Sequence, residues 1–341
     1  MNPGTLLIRA DANVAIGTGH VMRCLALAQA WKDAGGASVL ASVELPPLLE
    51  SRVQGEMECV RLEAGAGTKE DADELARLAR TRKATWCVVD GARFDSEYVR
   101  VLKGHGQRVL RLDDLGSTTP CEADLMLNQD LGASPECYPW CHEPGRLLLG
   151  TDYILLRREF LRMKPRMEIR NTSTRVLVAF GGSDPDGMTE KVLRALGHNV
   201  EGIEVTAVAG SANPQVEQLQ SLASSTGATF LCDAVNLPEI MAKSDLAVIA
   251  AGGTMWELLY CGCAVLSYCR NQAQASVIEK LLERGAVCDL GLTPLFDDVK
   301  LRAEVARLAT SPEVRRKMRE EGHRIVDGFG PSRVIRILRG E

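Results

Sequence analysis

The stretch that decides the fold is Ile16-Gly17-Thr18-Gly19-His20-Val21-Met22-Arg23. It stands between an apolar run that predicts a strand, residues 6–10, and a run with helical pattern, residues 20–33. Glycines let the backbone turn sharply and approach a ligand closely, and the free N–H groups at the start of the helix then face that ligand. This arrangement favours an anion.

His20 and Arg23 lie three residues apart, so a helix projects both from one face into the same space. His20 is therefore the candidate catalytic residue, and the alternative is that it only caps a glycine turn. Gly17, Gly19 and Arg23 are candidate binding residues, together with Asp11 at the end of the preceding strand. The charge of Arg23 is expected to lower the pKa of His20 and keep it neutral at pH 7.

The composition is that of a globular protein with more than one domain. The chain has 341 residues, of which 45% are hydrophobic and 25% charged, with a net charge of −5. An acidic balance offers no attraction to nucleic acid, and no apolar stretch predicts membrane insertion. Eleven cysteines, most of them in apolar runs, are typical of buried thiols in a reducing compartment. We expect a cytoplasmic protein, and its oligomeric state stays open.

One cluster, Cys137, Cys141 and His142, has the residue types of a metal site. No second pair of ligands with zinc-like spacing accompanies it. We expect no metal and no cofactor.

Strand-like and helix-like runs alternate along almost the whole chain, which predicts parallel sheets covered by helices. The predicted strands are 6–10, 37–43, 86–90, 108–113, 125–128 and 147–149, followed by 176–180, 204–209, 229–232, 246–250, 264–268 and 287–290. A polar, aperiodic break at 162–174 separates the two series. The predicted domains are 1–165 and 172–311, with C-terminal helices in 312–341 packing on them.

Ligands of open α/β sheets collect at the carboxyl ends of the strands. Five features of the first series follow strands or end them, and we expect them around one crevice: Asp11, the stretch 17–23, Asp90, Asp113 and Asp114.

The second series repeats the order of strand, glycine turn and helix twice. Gly181, Gly182 and Ser183 follow one strand as candidate ligand-binding backbone, and the alternative is that Ser183 or Asp184 caps the next helix. The stronger motif is Gly252-Gly253-Thr254-Met255-Trp256-Glu257. Its helix N-terminus suits a diphosphate, and Glu257 suits the two hydroxyls of a ribose unless it only favours the helix dipole. Asn271 and Gln272 offer amides to sugar hydroxyls or phosphate oxygens.

Together these motifs resemble a known family. The resemblance rests on their order from Arg9 to about Val287: Arg9-Ala10-Asp11, Gly17-Thr18-Gly19-His20, Val88-Val89-Asp90, Asp113-Asp114, Leu127-Asn128-Gln129, Leu149-Gly150-Thr151-Asp152-Tyr153, Gly181-Gly182-Ser183-Asp184, Gly252-Gly253-Thr254-Met255-Trp256-Glu257 and Asn271-Gln272. The chain is similar to the UDP-2,4-diacetamido-2,4,6-trideoxy-β-L-altropyranose hydrolases of pseudaminic acid biosynthesis and to related spore-coat polysaccharide biosynthesis proteins.

The resemblance implies a glycosyltransferase-B fold, in which two Rossmann-like domains face each other across a cleft. It also implies that UDP binds the C-terminal domain. The implied reaction is metal-independent hydrolysis of a UDP-sugar to free sugar and UDP, with His20 activating water.

The chain departs from the family pattern at two positions. Ala92 replaces the usual tyrosine after Val-Val-Asp, and Leu115 replaces the usual aromatic residue after Asp-Asp. These departures leave the particular amino sugar open. The alternatives are a UDP-sugar-dependent glycosyltransferase and a non-catalytic protein that binds a UDP-sugar.

Overall fold

The strands pair into two parallel sheets, as their alternation with helices predicts. A computed structural model describes residues 3–13, 16–163, 169–171, 175–197, 200, 202–210 and 213–341. Contacts divide the chain into a first domain, Met1–Arg158 with Gly328–Glu341, and a second domain, Glu159–Asp327. Among the described helices, none is long and apolar enough to cross a membrane.

The first domain is built on a seven-stranded sheet with the order β3-β2-β1-β4-β5-β6-β7 among the described residues. Its strands are β1 (Thr5–Ala10), β2 (Ala37–Ser42), β3 (Glu58–Arg61), β4 (Ala84–Asp90), β5 (Val109–Leu112), β6 (Leu125–Asn128) and β7 (Leu147–Leu149). Its helices are α1 (Gly19–Asp33), α2 (Pro47–Gln54), α3 (Lys69–Thr81) and α4 (Ser96–Gly104). Buried side chains of α1 and α2 pack on one face of the sheet, and those of α3 and α4 pack on the other.

The second domain has a six-stranded sheet with the order β10-β9-β8-β11-β12-β13 in the part of the chain that the structure describes. Its strands are β8 (Arg175–Ala179), β9 (Glu204–Ala209), β10 (Thr229–Cys232), β11 (Leu246–Ala250), β12 (Ala264–Cys269) and β13 (Val287–Leu292). The helices that follow α4 are α5 (Arg158–Leu161), α6 (Met188–Leu196), α7 (Val216–Thr226), α8 (Leu237–Lys243), α9 (Gly253–Cys261), α10 (Gln272–Glu283), α11 (Asp298–Ala309), α12 (Pro312–Ile325) and α13 (Gly330–Arg339).

The C-terminal residues 312–341 are helical and are divided between the two domains. Helix α12 lies in the second domain, whereas α13 lies in the first. The indole N–H of Trp86 donates to the carbonyl of Leu338 at 2.9 Å, and Gly330 packs directly on the backbone of Ile154. The connection predicted at 162–174 falls partly on residues 164–168 and 172–174, which lie outside the described residues.

Strand β3 and helix α2 have no counterpart in the sequence-based prediction. Strand β3 is a four-residue edge strand whose side chains are all at least partly exposed, so it shows neither an apolar run nor clear alternation. Helix α2 is only eight residues long. Short elements of this kind give little periodic signal.

Each sheet reverses its strand order at one place, and ligands of open α/β sheets bind where that reversal occurs. In the first domain the reversal lies between β1 and β4, and in the second it lies between β8 and β11. The segments from the ends of these four strands to the first turns of the helices that follow contain His20 and the residues after Asp90 in the first domain, and the two glycine pairs in the second. The sheet topology therefore singles out the same motifs that the sequence does.

A buried ion pair holds the carboxyl edge of the first sheet together. The side chains of Arg9 and Asp71 are both fully buried, and Nε of Arg9 donates to Oδ1 of Asp71 at 3.0 Å. The same carboxylate accepts from the hydroxyl of Tyr98 at 3.1 Å and from the backbone N–H of Gly67 at 2.8 Å. One carboxylate thus links β1, α3, α4 and the loop before α3.

Replacing Asp71 by asparagine removes a negative charge that compensates the buried positive charge of the Arg9 guanidinium. Breaking a buried pair in this way costs about 3–5 kcal/mol, so the free energy of unfolding should fall by about that amount. Urea denaturation of Asp71→Asn and wild type measures the change. Glu70→Gln, an exposed carboxylate of the same helix, is the control and should change stability little. Equal effects in the two variants would contradict the structural role of Asp71.

Candidate active site

His20 and Asp90 meet at the point where the first sheet reverses its strand order. Gly17 has a φ of +75°, which turns the chain after β1 so that α1 begins at Gly19 and His20 lies in its first turn. Asp90 is the last residue of β4, and its side chain is fully buried. Nδ1 of His20 lies 2.7 Å from Oδ1 of Asp90.

This contact selects the tautomer of the imidazole. An ionised carboxylate only accepts hydrogen bonds, so Nδ1 carries the hydrogen and the lone pair of neutral His20 is on Nε2. The His20 side chain is 25% exposed, which leaves it accessible to a reactant. A histidine held by a buried carboxylate at one nitrogen is the arrangement of a general base.

Arg23 completes the cluster from the next turn of α1. Its Nε donates to Oδ2 of Asp90 at 2.6 Å, and Nη2 donates to Oδ1 of the same residue at 2.5 Å. Its other edge binds Asp114, which follows β5. Nη2 of Arg23 lies 3.3 Å from Nδ1 of His20, so the two side chains do share one space, as their spacing predicts.

The electrostatics correct one expectation. The hydrogen bond from His20 to Asp90 raises the pKa of His20 above its ordinary 6.5, although burial and the charge of Arg23 both lower it. Burial by itself would raise the pKa of Asp90. The charge and hydrogen bonds of Arg23 outweigh burial, so the pKa of Asp90 lies far below its usual range and the carboxyl stays ionised. Arg23 does lower the pKa of His20, as expected, but the expected net fall of that pKa is wrong, because the hydrogen bond to Asp90 outweighs the charge of Arg23.

Asp11 lies at the expected edge, but its Oδ1 binds neighbouring protein groups. Oδ1 accepts from the hydroxyl of Ser42 at 2.9 Å and from the backbone N–H of Val43 at 2.7 Å. Arg9 is ion-paired with it at 2.7 Å, and this pairing keeps the pKa of Asp11 low although burial opposes it. Asp11 therefore anchors the loop after β2, and a role for it in binding remains a prediction.

The remaining residues singled out in the first domain do not join the cluster of His20, Asp90 and Arg23. Asp113 accepts a hydrogen bond from the buried Tyr138 hydroxyl at 2.7 Å, whereas Leu115 is 78% exposed. Ala92 is exposed. Within the described residues, no group of three or more metal-ligating side chains comes together, at Cys137 and Cys141 or elsewhere.

In the second domain, the first glycine motif forms the turn between β8 and α6. Gly181 has a φ of +84°, a conformation that favours glycine. Asp184 caps α6, because its two carboxylate oxygens accept from the backbone N–H groups of Met188 at 2.9 Å and Thr189 at 2.7 Å. The capping alternative thus holds for Asp184. Gly182 and Ser183 precede it as candidate binding residues.

The second glycine motif begins α9 with uncapped N–H groups. Gly252 occupies the N-cap position without a side-chain cap, and its φ of −169° is open to any residue. A Cβ added at Gly252 or Gly253 meets no atom within 4 Å among the described residues of this domain. Neither backbone strain nor packing there requires glycine, so these residues keep the space above the helix N-terminus open. Thr254 and the half-buried Glu257 lie in the first turns of the same helix.

Asn271 and Gln272 follow β12, at the carboxyl end of that strand, as predicted. Asn271 caps α10, since its Oδ1 accepts from the backbone N–H of Gln274 at 3.0 Å. Gln272 is the first, exposed residue of that helix. Arg270 beside them is paired with Asp186 at 3.2 Å. The only side-chain oxygen of Asn271 is thus engaged by the cap, and a role for Asn271 in binding remains a prediction.

Sequence reasoning placed Asp90 and Asp114 in the crevice but did not assign them as partners of His20 and Arg23. Both partnerships depend on the strand order of the sheet, in which β4 and then β5 follow β1. The available signal was that each aspartate ends or follows an apolar strand.

The chain is similar to several proteins of known sequence. Over 197 residues it is 28% identical to the spore coat polysaccharide biosynthesis protein SpsG of Bacillus subtilis, covering 57% of this chain and 58% of that protein. Over 288 residues it is 25% identical to the UDP-2,4-diacetamido-2,4,6-trideoxy-beta-L-altropyranose hydrolase of Campylobacter jejuni, covering 82% and 97%. An uncharacterized Methanocaldococcus jannaschii protein is 23% identical over 88% of this chain and 62% of its own length. No protein-family model matches.

Solved structures show the fold. The MurG structure of Acinetobacter baumannii superposes with a TM-score of 0.70 at 14% identity, over 99% of this chain and 100% of that one. The UDP-GlcNAc 2-epimerase of Neisseria meningitidis, solved with UDP-GlcNAc bound, gives the same TM-score, identity and coverage. The protein has the glycosyltransferase-B fold, as predicted.

The pairing of His20 with Asp90 has a consequence that needs no substrate. Replacing Asp90 by asparagine removes the charge that favours the imidazolium, so the pKa of His20 should fall by about 1 unit or more. Titration of the imidazole signals by NMR measures both values. Glu97→Gln, an exposed carboxylate of α4, is the control and should leave the pKa unchanged. An unchanged pKa in Asp90→Asn would remove Asp90 from the site.

Proposed function

We propose that this protein is an enzyme that hydrolyses a UDP-activated acetamido-deoxy sugar to free sugar and UDP in surface polysaccharide or nonulosonic acid biosynthesis. The observation that carries the proposal is the His20–Asp90 pair at the topological switch point of the first sheet. The Campylobacter relative, which is named for such a hydrolysis, supports the choice of reaction. UDP-2,4-diacetamido-2,4,6-trideoxy-β-L-altropyranose or a close relative of it is the proposed substrate.

In the proposed reaction, Nε2 of His20 takes a proton from water while the water oxygen forms a bond to the anomeric carbon. The bond between that carbon and the oxygen of the diphosphate breaks, and its electron pair leaves with UDP. Asp90 stabilises the imidazolium that forms, because its carboxylate is ionised and 2.7 Å away. A positioned base of this kind contributes about 10²–10⁴ in rate.

The second domain is proposed to hold UDP without a metal. Backbone N–H groups at the start of α9 and in the turn at Gly181 are donors for a diphosphate, and the helix dipole favours its negative charge. Glu257 is proposed to accept the ribose hydroxyls, and Asn271 and Gln272 to bind sugar or phosphate oxygens. Gly17, Gly19 and Arg23 are proposed to shape the sugar side in the first domain.

A second candidate is a glycosyltransferase that uses the same nucleotide site and delivers the sugar to an acceptor. The fold favours it equally, since MurG, the calicheamicin glycosyltransferase CalG4 and the spinosyn forosaminyltransferase SpnP share it. At the two positions where the family has aromatic side chains, this chain has Ala92 and Leu115, and both are exposed. These two positions leave the identity of the sugar undecided.

One experiment separates the candidates. Purified protein is incubated with a panel of UDP-acetamido sugars in EDTA, with and without added acceptor sugars, and products are followed by ³¹P NMR and mass spectrometry. Free sugar plus UDP without acceptor supports hydrolysis. Release of UDP only with an acceptor supports transfer, and an epimeric UDP-sugar would support an epimerase like its structural neighbours. A rate that needs Mg²⁺ or Mn²⁺ would contradict metal-independence.

His20→Asn should lose about 10²–10⁴ in turnover, since asparagine cannot accept the proton. UDP affinity should stay nearly constant, because the proposed nucleotide groups belong to the second domain. Steady-state kinetics and calorimetry with UDP measure the two effects. His105→Asn is the control, because His105 lies at the C-terminus of α4 and pairs with Asp73. Near-normal turnover in His20→Asn would require another base.

Gly252→Ser tests the nucleotide site. Serine is a favoured N-cap, so the variant should be as stable as wild type or slightly more stable. Its hydroxyl competes with a phosphate for the same N–H groups and fills the open space, so UDP affinity should fall about tenfold or more. Thermal unfolding and calorimetry are measured together. Unchanged UDP affinity in the stable variant would exclude the start of α9 as the diphosphate site.

A further inference from the structure

Asp114 is a carboxylate that the proposed reaction does not use directly. It follows β5 by two residues, and its side chain is 51% exposed. Oδ1 accepts from Nη1 of Arg23, and Oδ2 accepts from Nη2 at 3.2 Å. The guanidinium of Arg23 therefore lies between the buried Asp90 and the half-exposed Asp114.

The hydrogen-bond inventory of Arg23 explains why this matters. A guanidinium has five N–H groups, and here one edge serves Asp90 while the other serves Asp114. Both hydrogens of Nη2 are engaged, one by each carboxylate. The contact of 3.3 Å between Nη2 and Nδ1 of His20 is therefore an approach of two donors, which repels rather than bonds.

The charges that face His20 come from three elements. Asp90 belongs to β4, Arg23 to α1, and Asp114 to the segment after β5. Cys24 contacts Asp90 at 3.5 Å, but burial raises the pKa of its thiol far above the usual range, so it stays neutral. Two carboxylates and one guanidinium leave one negative charge in this cluster, which a proton on His20 cancels.

We propose that Asp114 is a positioning residue for the base His20, acting through Arg23. The catalytic role of Asp114 in this proposal rests on the hydrolysis proposed above. Asp114 holds the outer edge of the guanidinium, keeps the inner edge on Asp90, and offsets the positive charge 3.3 Å from the imidazole. Without Asp114, Arg23 opposes protonation of His20 more strongly and gains freedom to leave Asp90.

The direction of the effect follows from the charges. Both Asp90 and Asp114 raise the pKa of His20, and Arg23 lowers it. Removing the charge of Asp114 makes His20 a weaker base, so the acid limb of the pH profile moves to lower pH and the plateau rate falls. Because Asp114 is half exposed, solvent screens its charge and the shift is smaller than the one expected for Asp90.

The test is an NMR titration of His20 in four proteins, with its signals assigned by their loss in His20→Asn. We expect the pKa in Asp114→Asn to lie about 0.3–1 unit below wild type. Asp114→Glu retains the charge, so the pKa of His20 should shift less in this variant than in Asp114→Asn. Glu122→Gln removes a slightly more exposed carboxylate of the same domain, which pairs with Arg100, and should leave the pKa of His20 unchanged. The acid limb of kcat/KM is measured in the same four proteins and should follow the titration.

A pKa of His20 that is the same in Asp114→Asn and wild type would overturn the proposal. A shift in Asp114→Glu as large as that in Asp114→Asn would also overturn it, because the charge would then be irrelevant. The titration needs no substrate, so it is independent of the reaction. If His20 shifts as expected but no UDP-sugar is hydrolysed, the coupling of Asp114 to His20 is supported and only the proposed hydrolysis fails.

Discussion

A fully buried negative charge at the end of β4 constrains the first domain. Removing a carboxylate from water is costly unless cations and hydrogen bonds compensate it, and Asp90 is compensated by Arg23 and by Nδ1–H of His20. Both partners come from the first turns of α1, which can begin there only because Gly17 turns the chain after β1. Compensation of the charge of Asp90 therefore depends on the strand order, on the glycine turn and on the register of α1.

The second domain uses the same topology with different chemistry. Its strand order also reverses, between β8 and β11, but the described residues at that point present glycines and helix N-termini in place of a buried ion cluster. Backbone N–H groups suit a fixed anion such as a diphosphate, whereas an oriented imidazole suits a moving proton. The two switch points thus have separate proposed tasks, one for binding and one for chemistry.

The sequence predicts the architecture better than the details of the site. Parallel sheets follow from alternating strands and helices, and helical spacing alone brings His20 and Arg23 together. The raised pKa of His20 could not be predicted, because it depends on Asp90, which is 70 residues away and becomes a neighbour only through strand order. Asp11 shows the opposite limit, since its position is as expected while Ser42, Val43 and Arg9 all contact its Oδ1.

His20 is proposed to activate water for attack on the anomeric carbon of a UDP-sugar. The most direct test is a single turnover of such a UDP-sugar in ¹⁸O-labelled water, with both products analysed at once by mass spectrometry. We expect label on the released sugar and none in UDP, because the bond between the anomeric carbon and the diphosphate oxygen breaks. Label in the β-phosphate of UDP would show attack on phosphorus and contradict the assigned role of His20.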